Sequence, residues 1–375
     1  MARILKPEYD GFGIQTVLAG LLEGIASSSH PHEVLLLVDP GQLAHPTPLM
    51  QCYRLVPVLP HTGTTAGKLW WDHLAVGQVC QQHGVDALYA PAHARPAYAP
   101  CPTVVAIYDM MYHLFPHSWA WSDQMYFRAA VSTLSTRASC ISTTSEHTRR
   151  DIHTILGIPP ERVEVIYPGV PHGFSRLPAT ESATIRTTYH LSQPFMLYVG
   201  GFHPRKNMTG MLDAFEHAAP AVPHDLVIIG PPAWKNEQIL QRIERSPVAA
   251  RIHFTGFVPR EDLPRFYNQA DLFVFPSLYE GFGFPVLEAL ACGCPTITTR
   301  TSSIPEVAGD AAILVEPGDT RQLADAIRRL ANDASLRAQM RQQALEQAQR
   351  FRWHTAARAT LALLERAAAQ REGRR

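Results

Sequence analysis

Leu278 to Cys294 reads LYEGFGFPVLEALACGC, two glutamates bracketing a glycine-rich turn that opens a helix. Pro285 fits the first helical turn, where its missing N–H would have no partner, so the helix begins close to Phe284. Gly281 and Gly283 keep the preceding backbone free of side-chain bulk. Its N–H groups and those of the first turn can therefore approach an anion closely, and a phosphate suits the place. Glu288 falls one turn in, roughly 4.5 Å along the axis from Pro285, while Glu280 stays on the loop. The two carboxylates thus face different parts of one ligand. A glutamate pair alone is ordinarily solvated surface, but a surface helix does not need a glycine-rich entrance lined by Phe282 and Phe284.

Strands and helices alternate around this stretch. FMLYVGG at 195–201, DLVIIG at 225–230, RIHFTG at 251–256, DLFVFPS at 271–277, PTITT at 295–299 and AAILVEP at 311–317 are apolar runs bounded by turn residues, as buried parallel strands are. Arg205 and Lys206 follow a glycine exit and head the next helix. Two such cations neutralise a diphosphate, Arg through a planar fork and Lys as a compact charge. From about residue 319 the chain is rich in alanine, leucine and charge and predicts two or three closing helices.

The first half repeats the pattern. A short strand at 2–6 leads through PEYDGFG, with Gly11 and Gly13, into a helix whose buried stripe is Ile14, Val17, Leu18, Leu21, Leu22 and Ile25. That loop fits a phosphate or sugar contact and equally a plain tight turn. Strands follow at 33–38, 86–91, 103–109, 139–144 and 163–169, with helical patterns at 121–136 and 145–156, the second capped by Ser145. The alternation predicts an α/β protein of two doubly wound, Rossmann-like domains facing a central cleft, with ligands beyond the carboxyl ends of the strands. Tyr108 and Asp109 fall at such an end. The proline- and glycine-rich segment after Pro168 marks the boundary: residues 1–175 form the first domain, 176–193 a linker, 194–352 the second domain, and 353–375 a helix packing back toward the N-terminal domain.

Composition narrows the function. At 375 residues the chain exceeds a single core, and its 46% hydrophobic and 18% charged content is that of a soluble globular protein. Lys plus Arg balance Asp plus Glu at 33 each, against a nucleic-acid binder with a strongly basic face. Arg366, Arg371, Arg374 and Arg375 suit either a solvated tail or weak attraction to an anionic membrane surface. No signal peptide and no apolar run of spanning length are apparent, so a cytoplasmic protein is expected. Six scattered cysteines give no CxxC pair, hence no disulfide framework and no zinc site. Cys292 and Cys294 should pack beside the helix end.

GGFHPRKN at 200–207, the run from Gly256 to Ile297 and IPEVAGDAAILVEPGD at 304–319 resemble the C-terminal half of retaining family-4 glycosyltransferases (glycosyl transferases group 1). DGFGIQTVLAGLL and TVVAIYDMMYHLFP occupy the places of two landmarks of the first half. The resemblance implies the two-domain GT-B fold and transfer of a hexose from a nucleoside diphosphate sugar to a glycan, a lipid-linked sugar or a small acceptor. It implies that Glu288 holds the ribose hydroxyls, that Glu280 contacts the transferred sugar, and that Arg205 and Lys206 stabilise charge on the leaving diphosphate. Further donor contacts are implied along Gly281, Phe282, Gly283, Phe284 and Leu287, at Gly13, Gly201 and Gly230, and at Val258 near the nucleobase. In such enzymes the departing phosphate oxygen is thought to deprotonate the acceptor from the same face of the sugar, so configuration is retained and neither a metal nor another cofactor is required.

One position departs from the family pattern. Where many members carry a His-Asp pair, this chain has Tyr108 before Asp109. A phenol can donate to a sugar oxygen but cannot supply imidazolium charge, so Tyr108→Phe is expected to lower transfer more than donor binding. His113 is either a spatial substitute or structural. Mannose from a GDP donor is the first expectation, glucose or N-acetylglucosamine from UDP the close alternative. A non-catalytic sugar-nucleotide-binding protein and a GT-B epimerase or phosphorylase remain open. The acceptor is assigned to loops 40–70 and 91–125, whose Trp70, Trp71, Tyr112, Trp119 and Trp121 suit sugar stacking and core packing equally.

Overall fold

The structure is a computed structural model that describes residues 13–38, 46–58, 70–91, 93, 95–118, 121–230 and 237–372. The expected strand at 2–6, Gly11, most of the 40–70 loop, Trp119, Arg374, Arg375 and the Arg371 side chain lie outside that set. Two compact units are present, residues 1–169 with 352–375 and residues 170–351.

In the first unit every described strand is parallel. β1 (Leu35–Val38) pairs with β2 (Arg54–Pro57), and β3 (Leu88–Ala90), β4 (Thr103–Ala106), β5 (Cys140–Thr143) and β6 (Val163–Val165) form a four-stranded sheet in that order. β4 and β5 are buried along their whole length, which is why they read as unbroken apolar runs without alternation. β2 is an unanticipated strand, four residues confined by prolines. The helices are α1 (Gly13–Ala26), α2 (Val76–Gln82), α3 (Trp121–Leu134) and α4 (Glu146–Leu156). Ser145 caps α4 by accepting the Thr148 N–H at 3.1 Å. The closing helix Trp353–Glu372 belongs to this unit and packs on α1, where Ile25, Ala357 and Leu361 share one apolar cluster.

The second unit is a six-stranded parallel sheet. Its strands are β7 (Phe195–Val199), β8 (Asp225–Ile229), β9 (Ile252–Gly256), β10 (Leu272–Phe275), β11 (Thr296–Thr299) and β12 (Ala312–Val315), in the order β9-β8-β7-β10-β11-β12. The chain builds outward from β7 in one direction, returns, and starts again at β10 on the other side. Met196 faces Leu272 and Leu197 faces Phe273 across that junction. In doubly wound sheets such a reversal leaves the crevice in which ligands bind. α5 (Met208–Ala218), α6 (Glu237–Glu244), α7 (Leu263–Gln269), α8 (Phe284–Ala291), α9 (Thr320–Asn332) and α10 (Ala334–Ala348) accompany the strands. All six cysteines are free, and Cys292 and Cys294 are fully buried just after α8.

The domain limits need correction. Residues 176–193 are not a free linker: they carry two short helices, Ala179–Ser182 and Thr184–Thr188, and belong to the second unit, which starts at Val170. Ile185 and Leu191 are buried in its core, and the Asn268 side-chain oxygen accepts the Leu177 N–H at 2.9 Å.

Candidate active site

The loops leaving β7 and β10 meet at the reversal point and carry the principal candidates. After β7, Gly200 and Gly201 lead to a single 3-10 turn, Pro204–Lys206, and Asn207 caps α5 by accepting the Gly210 N–H. Gly230, at the exit of β8, has no alternative residue: a Cβ there would meet the Gly200 carbonyl oxygen at 2.2 Å. After β10 the chain passes Ser277, Tyr279 and Glu280 to Gly283, whose φ of 105° no side-chain-bearing residue adopts comfortably. α8 starts immediately beyond it with Pro285 in its first turn.

Glu280 is the centre of the site. Its Oε1 accepts from Lys206 Nζ at 2.7 Å and Ser277 Oγ at 2.6 Å, and Arg205 Nη1 lies 2.6 Å away. Arg205 Nη1 also donates to the Tyr279 carbonyl at 3.0 Å. Among the described residues no donor is bonded to Oε2. The loop is tied down independently: Ser302 Oγ accepts the Glu280 N–H at 2.9 Å, and Ser303 Oγ donates to the carbonyls of Glu280 and Phe282 at 2.8 and 2.9 Å.

Electrostatics follow from this packing. Burial by itself would push the Glu280 carboxyl up, but Arg205, Lys206 and the Lys206 and Ser277 hydrogen bonds outweigh it and bring the pKa down to about 2. Burial, then Arg205, lowers Lys206 to about 8 despite Glu280, and its ammonium also sits 4.6 Å from the centre of the Phe275 ring. Two cations thus face the carboxylate of Glu280, and Glu288 adds a second carboxyl whose field also reaches Lys206.

Glu288 is held in the same manner one turn into α8. Tyr267, fully buried, donates its hydroxyl to Glu288 Oε2 at 3.1 Å, and no donor among the described residues is bonded to Oε1. Burial raises the pKa of Glu288, opposed by Arg260, Tyr267 and Lys206. The two carboxylates therefore each have one oxygen fixed by the protein and one left over. The remaining donor-side candidates share the neighbourhood: Gly281 to Phe284 form the turn, with Phe282 and Phe284 edge to face at 5.1 Å, Leu287 is buried in α8, and Val258 is buried beyond β9. Sequence reasoning missed Tyr267, Ser277 and Ser303, whose hydroxyls bond the Glu288 carboxylate, the Glu280 carboxylate and the Glu280 and Phe282 carbonyls respectively.

In the first unit Gly13 starts α1, and Asp109 lies three residues past β4, its Oδ1 accepting the Met111 N–H at 3.0 Å. Tyr108, next to Asp109 in the chain, is buried. Its hydroxyl is buried next to Tyr89, in a small pocket that Ser142, Thr143, Trp353 and Thr360 also line. Burial, then Tyr89, pushes its pKa well up. His113 is half-buried in the short helix Met111–Leu114, with burial and Arg128 lowering its pKa. Trp71 is core, whereas Trp121 is 75% exposed.

Residues 13–174 match the family described as Glycosyltransferase Family 4, and residues 186–347 the one described as Glycosyl transferases group 1. The O-antigen chain mannosyltransferase B of Escherichia coli is 30% identical over 261 residues, 69% of this chain and 68% of that protein. This chain belongs to glycosyltransferase family 4. It is a glycosyltransferase. The serotype-specific mannosyltransferase WbdA of E. coli is 31% identical over 227 residues, 58% of this chain but 27% of that longer protein. Among solved structures, Anabaena HepE in complex with UDP and glucose superposes with a TM-score of 0.73 at 20% identity, over 94% of this chain and 96% of that one. The fold of this family 4 member is GT-B. Among its described residues no helix is long and apolar enough to cross a membrane.

Proposed function

We propose that this family 4 enzyme transfers a hexose, mannose first, from a nucleoside diphosphate sugar to a glycan, lipid-linked sugar or small acceptor with retention of configuration. The observation that carries the reading is the Arg205–Lys206–Glu280 cluster at the reversal between β7 and β10. Its surplus positive charge, together with the N–H groups opening α8, suits a diphosphate. Glu280 Oε2 then takes a hydroxyl of the sugar, and Glu288 Oε1 takes the ribose.

Charge builds on the diphosphate as the glycosidic bond breaks, and Arg205 and Lys206 stabilise it where it develops. The leaving oxygen receives the acceptor proton on the same face of the sugar, which is what retains configuration. Two cations and a helix terminus meet the diphosphate without a divalent metal. The mannose choice is supported by the mannosyltransferase relatives; the HepE complexes keep a UDP donor as the competing choice.

The test is calorimetric titration with GDP, UDP and ADP, followed by incubation with GDP-mannose and UDP-glucose, with product anomers read by NMR and EDTA present in a parallel sample. A preferred nucleotide, an α-linked product from an α-linked donor and indifference to EDTA are expected. Inverted product overturns retention, loss of activity in EDTA overturns metal independence, and binding without turnover makes the protein a sugar-nucleotide binder.

A further inference from the structure

The turn that carries Arg205 and Lys206 is headed by a histidine. Pro204 has no N–H, so the first donors of the 3-10 turn Pro204–Lys206 are those of Arg205 and Lys206. His203 takes both. Its Nδ1 accepts the Arg205 N–H at 3.4 Å, and its carbonyl accepts the Lys206 N–H at 2.8 Å. The extended backbone of His203, φ −64° and ψ 139°, is that of a residue capping a helical start. On the far side of the turn the Arg205 carbonyl accepts the Leu278 N–H at 2.6 Å and the Ser277 hydroxyl at 3.1 Å. The same backbone is thus fastened to the loop that bears Glu280.

Serine, threonine, asparagine and aspartate are the usual residues at such a place. A carboxylate would cap as well, but it would set a further negative charge against Arg205 and Lys206, which already share Glu280. An uncharged imidazole accepts the same N–H and leaves the two cations as they are. The ring is in the state this requires: burial, then Arg205 and Lys206, lower its pKa from the ordinary imidazole value against the pull of Glu280, so it is neutral near pH 7. Arg205, Lys206 and Glu280 are the charged groups that act on it. Because Nδ1 accepts, the ring proton belongs on Nε2.

We propose that His203 is the positioning residue for Arg205 and Lys206: its bare Nδ1 caps the turn and so holds both side chains where a diphosphate meets them. The proposal rests on the reading of this cluster as the diphosphate site. It acts through the turn and needs no contact between the imidazole and the donor. Loss of the cap loosens the turn and spares the helix after it, since Asn207 caps α5 on its own account by accepting the Gly210 N–H at 3.2 Å.

Two measurements test it. Long-range proton–nitrogen NMR correlations of the imidazole read the tautomer directly, with the His203 signals assigned by their absence in His203→Asn. A bare Nδ1 and a protonated Nε2 are expected near pH 7; a proton on Nδ1 overturns the proposal. The second measurement is calorimetric titration with GDP and UDP. His203→Ala removes the cap and should weaken the better-bound nucleotide about fivefold, the usual effect of a lost N-cap, whereas His203→Asn supplies a cap oxygen and should stay within about twofold of wild type. Unchanged affinity in His203→Ala, or equal losses in the two variants, overturns the proposal. In a Lys206→Met background His203→Ala should cost less than in the wild type, because one of the two charges it places is already gone; equal losses in both backgrounds mark a merely structural role and overturn it. If the wild type binds no nucleoside diphosphate, the functional reading fails, and the NMR tautomer still decides whether His203 caps the turn.

Discussion

Lys206 Nζ lies 2.7 Å from Glu280 Oε1, a buried ion pair whose lysine nevertheless titrates at about 8. Burial and Arg205 disfavour the ammonium more than Glu280 favours it. The fraction protonated falls as pH rises through 8, so the unliganded site loses positive charge just above neutrality. Nucleoside diphosphate affinity should therefore decline from about pH 7.5 upward, measured by calorimetry. Lys206→Met should bind weakly at every pH and show no such decline; a persisting decline would place the titration elsewhere.

Glu280→Gln removes the negative member of the cluster and leaves Arg205 and Lys206 facing each other. Breaking a buried pair in this way costs about 3–5 kcal/mol of stability. Diphosphate binding and sugar transfer should move in opposite directions, with tighter nucleotide binding and lost turnover. The acid limb of stability changes as well. The Glu280 pKa is lowered in the fold, so its contribution is complete above the unfolded value of roughly 4.3 and is lost as pH falls toward 2. Denaturant melts between these limits should be flatter in the variant.

Tyr267→Phe takes away the hydroxyl that donates to Glu288 Oε2. A hydrogen bond to a charged group contributes about 1.5–3 kcal/mol, and its loss raises further a pKa already raised by burial. Nucleotide affinity should then begin to fail at a higher pH than in the wild type as the solution is acidified. Coincident acid limbs for the two proteins would show that Tyr267 does not tune Glu288.

Gly230→Ala tests the close approach beneath the phosphate loop. A methyl group 2.2 Å from the Gly200 oxygen forces the Gly200–Lys206 segment to move, and overpacking of this kind costs about 1–3 kcal/mol. Melting temperature and diphosphate affinity should fall together. A stable variant with unaltered affinity would mean that the loop adjusts without disturbing Arg205 and Lys206.

Tyr108→Phe should leave both transfer and nucleotide affinity close to wild type, because the hydroxyl removed lies inside the first unit. This reverses the expectation drawn from the sequence. A selective loss of transfer in steady-state kinetics would restore the phenol to the sugar side.

The second unit was legible almost strand by strand, because each apolar run ends in glycine, proline or a charged turn and the loops that follow carry the chemistry. The first unit was less so, for a physical reason: β4 and the residues after it are buried on both faces, so no alternation tells which way Tyr108 points. Tyr267 and Ser303 were hidden likewise, as their partners Glu288, Glu280 and Phe282 stand about twenty residues away in the chain. The linker was misread because proline and glycine mark a turn in sequence whether or not the turn is packed.

The helix Trp353–Glu372 completes a unit that begins at the other end of the chain. During synthesis, residues 170–351 emerge as one uninterrupted stretch and can fold while still tethered to the ribosome. The first unit cannot finish until its last turn of helix has left the exit tunnel, so α1 waits for its partner through the whole translation of the intervening unit. A chain cut short by even the final twenty-odd residues would then carry an intact donor-side fold beside an N-terminal one with the apolar face of α1 uncovered, prone to aggregation and to chaperone capture.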